Sequence, residues 1–262
     1  MIINAYFTDG FFDWAKLFIE SFAFYNGYDY KMILHTKDLK NKQIKKLYDL
    51  YENLEVRNSK IDWKSLEKRS GLNAGELDKF KKTTENKKVN KNIRVWKLMI
   101  AGDDRVKTIY ELLKELPEGE HVAHFDIDTF VTGDLSNLLE FVKKNDFCTK
   151  YRIEKQIRRK GKVFRPNRAT LIYFMGFTVN ERSKKFMETW IKYIDKVPPI
   201  ERKKGYGQTS CYYAYLDMIK DKNFKTGDIK HYKKWANSNK GDKKSLCERY
   251  RKKFEEIKAN NG

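Results

Sequence analysis

The stretch HVAHFDIDTFVTGDL, residues 121–135, reads as an apolar strand that ends on Asp126 and Asp128, one residue apart. In an extended chain residues i and i+2 point the same way, so both carboxylates can face one partner. Two such charges at the exit of an apolar strand are costly unless something cationic, or water, meets them. A divalent ion is one candidate: Mg²⁺ and Mn²⁺ prefer carboxylate oxygens and keep positions open for substrate phosphates. A lysine, or a solvated turn capped by Asp128, is the competing reading. Chance alone supplies the Asp-x-Asp spacing in a chain of this composition, so its weight comes from its place among the surrounding elements.

Those elements alternate. Residues 2–8, IINAYFT, form a short strand closed by Asp9-Gly10, and Phe11, Trp14, Leu17, Phe18, Ser21 and Phe22 then recur at helical spacing up to Asn26-Gly27. A second strand is expected at 30–36, a helix over 41–54 and a third strand at 56–61. Residues 68–92 are polar and Lys-rich and read as a surface excursion, followed by helices near 95–100 and 106–116. After the aspartate pair come a short helix with Asp134 as its N-cap, a strand over 169–180, an amphipathic helix over 183–197 and an aromatic helix opening at Gly205. This pattern predicts an α/β fold with a mostly parallel central sheet flanked by helices and joined by right-handed crossovers. In such sheets ligands gather outside the carboxyl ends of the strands, where Asp126 and Asp128 fall.

Composition narrows the classes. The chain has 262 residues, 40% hydrophobic and 15% aromatic, which is ample for a core and argues against disorder despite 35% charged residues. No apolar run approaches the roughly 18 residues needed to cross a bilayer. The N-terminus enters a strand without a signal-like segment, so a cytoplasmic location is expected, the host cytoplasm if the gene is carried by a phage. Cys148, Cys211 and Cys247 lie far apart without metal-ligand spacing and read as reduced, buried thiols. The formal net charge of +20 makes a polyanionic partner a serious candidate. The basic residues also concentrate: Arg152, Arg158, Arg159, Lys160, Arg165 and Arg168 crowd one loop against the single acid Glu154, with Tyr151 and Phe164 interleaved. In the tail, Leu246, Tyr250, Phe254 and Ile257 share one face of a basic amphipathic helix. Packing on the body is the expected role of that face, and peripheral contact with an anionic membrane is the alternative.

The order of these features resembles the GT-A glycosyltransferases, a Rossmann-like fold, and in particular the retaining branch that contains lipopolysaccharide galactosyltransferases and glycogenin. FTDGFFDW (7–14) is similar to the family's first strand end, where an acid and an aromatic hold the nucleoside. NIRVWKL (92–98) resembles the helix that brings an Arg toward the donor sugar. FDIDTFVTGDLSNLL is similar to the family's metal motif, and YFMGFTVN (173–180) to its strand with a small residue under the acceptor. The resemblance implies a single domain over 1–262, with a nucleotide-sugar half (1–135), an acceptor half (136–244) and the C-terminal helix (245–262). It implies nucleotide-sugar contacts from Thr8, Asp9, Phe12, Arg94, Lys97, Asp126, Ile127, Gly176, Lys240 and Gly241. It also implies a metal site of Asp126, Asp128 and His231, with Asp128 and Gln208 in the catalytic set. The family often opens the helix after that strand with Asp-Gln; here Gly207-Gln208 keeps only the amide.

The function so implied is a metal-dependent hexosyl- or pentosyltransferase using Mn²⁺ (or Mg²⁺) and a nucleoside-diphosphate sugar. The basic loop, through Arg152, Arg158, Arg159, Lys160 and Arg165, points to a polyanionic acceptor such as DNA with hydroxylated bases. The rival acceptor is lipopolysaccharide or another cell-surface saccharide. Two other classes compete. A non-catalytic nucleic-acid-binding protein explains the charge but leaves the aspartates idle. A nucleotidyltransferase would carry a glycine-rich basic loop after the first strand, and FTDGFFDW has one glycine and no basic residue.

Overall fold

The computed structural model describes residues 1–62, 100–151, 170–196, 206–237 and 242–261. The strands are β1 (Ile2–Thr8), β2 (Lys31–Lys37), β3 (Leu54–Ser59), β4 (His121–Asp126), β5 (Thr129–Val131), β6 (Phe147–Tyr151), β7 (Thr170–Thr178), β8 (Thr226–Asp228) and β9 (Trp235–Asn237). The helices are α1 (Phe12–Asn26), α2 (Asn41–Tyr48), α3 (Arg105–Glu115), α4 (Ser136–Val142), α5 (Glu181–Asp195), α6 (Tyr206–Met218) and α7 (Lys243–Asn261). A π-helical turn, Ile100–Asp104, leads into α3.

Seven strands form one sheet in the order β3-β2-β1-β4-β7-β6-β8. β1, β2, β3 and β4 run parallel; β7 is antiparallel to β4 and β6, and β6 pairs parallel with β8. The alternation along β1 assigns its two faces. Ile3, Ala5 and Phe7 join the cluster that holds Phe18 and Phe22 of α1, Leu47 of α2 and Leu138 of α4. Ile2 points the other way, into a cluster with Val106 and Ile109 of α3, Trp190 of α5 and Cys211 of α6. Helices therefore cover both faces, as buried parallel strands require. Apolar residues repeating three and four apart on α1, α3 and α5 supply those faces.

β5 and β9 make a separate two-stranded sheet, Thr129 opposite Asn237 and Val131 opposite Trp235. It carries the chain beyond the aspartate pair and buries Phe130 and Trp235. Phe130 stacks on Tyr250 of α7, with ring centroids 5.4 Å apart, and α7 inserts Cys247 and Phe254 among Trp14, Leu17 and Phe130. The apolar face of the C-terminal helix thus packs on the body, with Leu246, Tyr250 and Ile257 partly buried beside Phe254. Among the described residues no helix is long and apolar enough to cross a membrane. The three cysteines are free and buried.

Candidate active site

Asp126 ends β4 opposite Tyr6 of β1, so the carboxyl ends of β1, β2 and β4 open along one edge of the sheet at Thr8, Lys37 and Asp126. α3 begins at this edge. Its first residue, Arg105, donates from Nη1 to Asp126 Oδ1. The first residue of α7, Lys243, approaches from the opposite end of the chain and places Nζ 2.6 Å from Asp128 Oδ2. Three contacts fix this lysine: the ammonium lies 4.5 Å from the centroid of the Phe11 ring, the Trp14 indole donates to the Lys243 carbonyl at 3.0 Å, and Asp128 receives the charge. Asp126 is thus met by an arginine and Asp128 by a lysine.

Burial pushes the Asp126 carboxyl up to about 6; Arg105 beside it pulls the other way, the charge of Asp128 adds to the rise, and Lys243 opposes it. The two carboxylates are thus close enough to feel each other, and the two cations offset a repulsion that would otherwise favour a proton. Arg105 keeps a buried Nε–H with no hydrogen-bond partner among the described residues.

A polar row runs under this edge on the α3 face of the sheet. Asn4 Nδ2 donates to the Ile33 carbonyl at 3.0 Å, and Asn4 Oδ1 lies 2.6 Å from His124 Nδ1. With the amide nitrogen donating, Oδ1 accepts, so His124 carries its proton on Nδ1. Burial, then the charge of Arg105, lowers the His124 pKa well below the ordinary imidazole value. His35 is lowered to about 4 by burial and then by Arg57, while burial and then Asp104 raise the Tyr6 phenol. The row keeps neutral rings beneath a charged edge.

Several of the residues expected at the site lie along or near this edge. Thr8 and Asp9 close β1, where Asp9 Oδ1 accepts from the Gly10 amide at 2.8 Å, and Phe12 opens α1 with Lys16 Nζ 5.3 Å from its ring centroid. Gln208, in the first turn of α6, accepts through its carbonyl from Thr170 Oγ1 at 2.9 Å, and Thr170 begins β7 at the site end of the sheet. One turn further, burial pushes the Cys211 thiol up to about 12, against a hydrogen bond with Thr170 and the charge of Arg105. The start of α6 therefore faces the Arg105 side of the edge. Ile127 turns its side chain into the core between the two aspartates, leaving its backbone at the edge.

Others are placed elsewhere. Gly176 pairs with Ala123 and Cys148 inside the sheet, and a Cβ there would lie 2.4 Å from Cys148 Sγ and 2.5 Å from Val142 Cγ2. Its missing side chain admits α4 to the sheet. His231 is exposed in the turn after β8 and lines a cleft of about 330 Å³ with Asp134, Asn137, Phe141 and Tyr232, against α4. Arg94, Lys97, Lys240 and Gly241, and the basic-loop residues Arg152, Arg158, Arg159, Lys160 and Arg165, lie outside the described residues.

A resident divalent ion needs several oxygen or imidazole donors converging on one point. Among the described residues no group of three His, Cys, Asp or Glu side chains comes together to hold one. Asp126 and Asp128 are each engaged by a cation of the chain, and His231 does not join them. The described donor set does not fit the expected Mn²⁺ or Mg²⁺ centre.

No protein-family model matches the sequence, and no curated protein matches it. Solved structures do. The galactosyltransferase LgtC in complex with donor and acceptor sugar analogs is similar with a TM-score of 0.52 and 10% identity, over 87% of this chain and 74% of that one. An active-site glutamine-to-glutamate mutant of LgtC superposes with a TM-score of 0.52 at 9% identity, over 87% and 73%. The bifunctional glycosyltransferase WbbM reaches 0.50 at 11% identity over 87% of this chain, which spans 39% of WbbM. The fold is that of the GT-A glycosyltransferases. In the GT-A frame of this chain the aspartate pair keeps its expected strand end. Arg105 and Lys243 are the residues that sequence reasoning missed. Both are the first residues of helices in a chain with 56 Lys and Arg, and the only local signal was an acid just before each, Asp104 and Asp242.

Proposed function

We propose that the chain is a glycosyltransferase that moves a sugar from a nucleoside-diphosphate sugar to an acceptor hydroxyl. The observation that carries this reading is the Asp126–Asp128 pair at the carboxyl end of β4, met by Arg105 and Lys243. This is where an open α/β sheet collects its ligands. In the reaction the bond between the anomeric carbon and the diphosphate oxygen breaks with its electron pair staying on phosphate. The acceptor oxygen bonds that carbon and its proton is released. Charge therefore develops on the leaving diphosphate, and fixed cations beside it lower the barrier. Arg105 stands there, with further N–H donors beyond the one given to Asp126. Thr8, Asp9 and Phe12 are assigned to the nucleoside side, and Gln208 to the sugar side, in keeping with the active-site glutamine of LgtC. Dependence on Mn²⁺ or Mg²⁺ would put an ion in competition with Lys243 at Asp128 and with Arg105 at Asp126.

A saccharide hydroxyl is the acceptor that the LgtC complex favours. DNA carrying hydroxylated bases is a second reading, favoured by the net charge of +20 and the Arg-rich loop. A thermal-shift panel of nucleotides and nucleotide sugars tests the donor class: stabilisation by one nucleoside diphosphate and its sugar is expected, and none by any member contradicts the reading. For the acceptor, duplex binding that weakens steeply with salt, together with sugar transfer to modified DNA, supports the second reading. Transfer to saccharides alone refutes it.

A further inference from the structure

We propose that Lys243 is the chain's own substitute for the divalent ion: its ammonium holds the place on Asp128 where a metal would sit and meets the donor diphosphate directly. The assignment rests on the glycosyltransferase reading and says how that activity neutralises its leaving group.

Four features carry it. First, Lys243 is positioned rather than merely near. The Trp14 indole holds its carbonyl at 3.0 Å, the Phe11 ring centroid lies 4.5 Å from Nζ, and the helix behind it is anchored by Phe254 and Cys247 among Trp14, Leu17 and Phe130. A lysine that only answers an acid on a surface needs no such fixation, because exposed pairs stabilise by about 0–1 kcal/mol. Second, the pairing leaves capacity. An ammonium has three donors, Asp128 Oδ2 takes one at 2.6 Å, and the Lys243 side chain remains 48% exposed, open to an incoming anion.

Third, a single ammonium carries half the charge of a divalent ion, and the site supplies a second cation. Arg105 neutralises Asp126, and its buried Nε–H has no partner among the described residues. A buried donor left in this way favours a ligand that accepts from it. Fourth, the charges of the two pairs balance in this form. Asp126 and Asp128 alone would repel a diphosphate; with Arg105 and Lys243 bound their charge is cancelled, and both cations still offer N–H groups to phosphate. His231, the residue expected to complete a metal site, stands instead beside Asp134 and Phe141.

The test measures binding of UDP, GDP, ADP, CDP and dTDP by calorimetry, in EDTA and again with MnCl₂. Free Mn²⁺ is followed in parallel by electron paramagnetic resonance. Wild-type protein is expected to bind one of these diphosphates in EDTA, with no more than about a threefold change on adding Mn²⁺, and to leave the free-Mn²⁺ signal intact. Lys243→Gln should lose about tenfold in that affinity in EDTA, about 1.4 kcal/mol. Without the ammonium, Asp128 should then take up Mn²⁺, which partly restores diphosphate binding. Lys243→Arg should stay close to wild type. Wild-type binding that appears only with Mn²⁺, with the ion bound in proportion to protein, overturns the assignment while leaving the glycosyltransferase reading in place. No diphosphate binding under either condition overturns both. The wild-type comparison needs no variant, so a folding defect in Lys243→Gln does not shield the proposal.

Discussion

Phe254→Ala tests how the C-terminal helix serves the site. Phe254 is 1% exposed and packs its ring on Phe130 and Phe24, with centroids 5.9 and 5.6 Å away. Truncating a buried Phe to Ala costs about 3–5 kcal/mol. The other anchors of α7 are Cys247 and Tyr250 against Trp14, Leu17 and Phe130, the Trp14 bond to the Lys243 carbonyl, and the Lys243–Asp128 and Arg251–Glu20 pairs, and partly exposed ion pairs contribute about 1 kcal/mol or less. The loss should therefore fall on helix docking more than on the sheet. A change of this size shifts the docking equilibrium by roughly two to four orders of magnitude. Hydrogen exchange followed by mass spectrometry is expected to show faster exchange across α7 with β1 and β4 unchanged, since local opening is governed by local contacts. Nucleoside diphosphate affinity should fall with it, because undocking carries Lys243 away from Asp128. Equal loss of protection in α7 and the central strands, or unchanged diphosphate binding with an exposed helix, would refute this chain of reasoning.

Asp128→Ala should abolish sugar transfer, and full turnover in this variant contradicts the site. Gly176→Ala should destabilise by about 1–3 kcal/mol in urea unfolding, since the new methyl meets Cys148 and Val142, and an unchanged midpoint would show that α4 can move aside. Acid should weaken the fold between pH 6.5 and 4. The unfolded chain binds a proton at His35 near 6.5 that the folded ring refuses until about 4, so up to about 3 kcal/mol is lost as pH falls through that window. His35→Leu should flatten the pH dependence of urea midpoints, and an unaltered slope would contradict the assignment.

Much of the fold was legible from local pattern. The apolar runs of β1, β2 and β4 and the helical spacing of α1, α5 and α7 follow directly from side-chain burial, and these elements appear within a few residues of their expected places. The helix expected over 41–54 stops at Tyr48, and residues 95–99 of the one expected near 95–100 lie outside the described residues. β5 and β9 were invisible because three-residue strands have no period to detect. The site was half legible. Asp126 and Asp128 stand out because charge at a strand exit conflicts with its neighbours. Arg105 and Lys243 do not, since a basic residue opening a helix looks like any solvated one. Their roles arise from contacts spanning 21 and 115 positions, which only the folded sheet brings together. Gly176 drew attention as a small residue near a site, and its actual cause is the close approach of α4. His231 was drawn in by resemblance alone, and the turn after β8 holds it against α4 instead.

The most direct test is mass spectrometry of candidate acceptors, saccharides and hydroxymethylated DNA alike, after incubation with mixed nucleotide sugars, with Asp128→Ala as the control. A hexose or pentose mass increment on one acceptor class, absent with the variant, is the predicted result. No increment on any acceptor, or the same increment with Asp128→Ala, would contradict a glycosyl transfer centred on the aspartate pair.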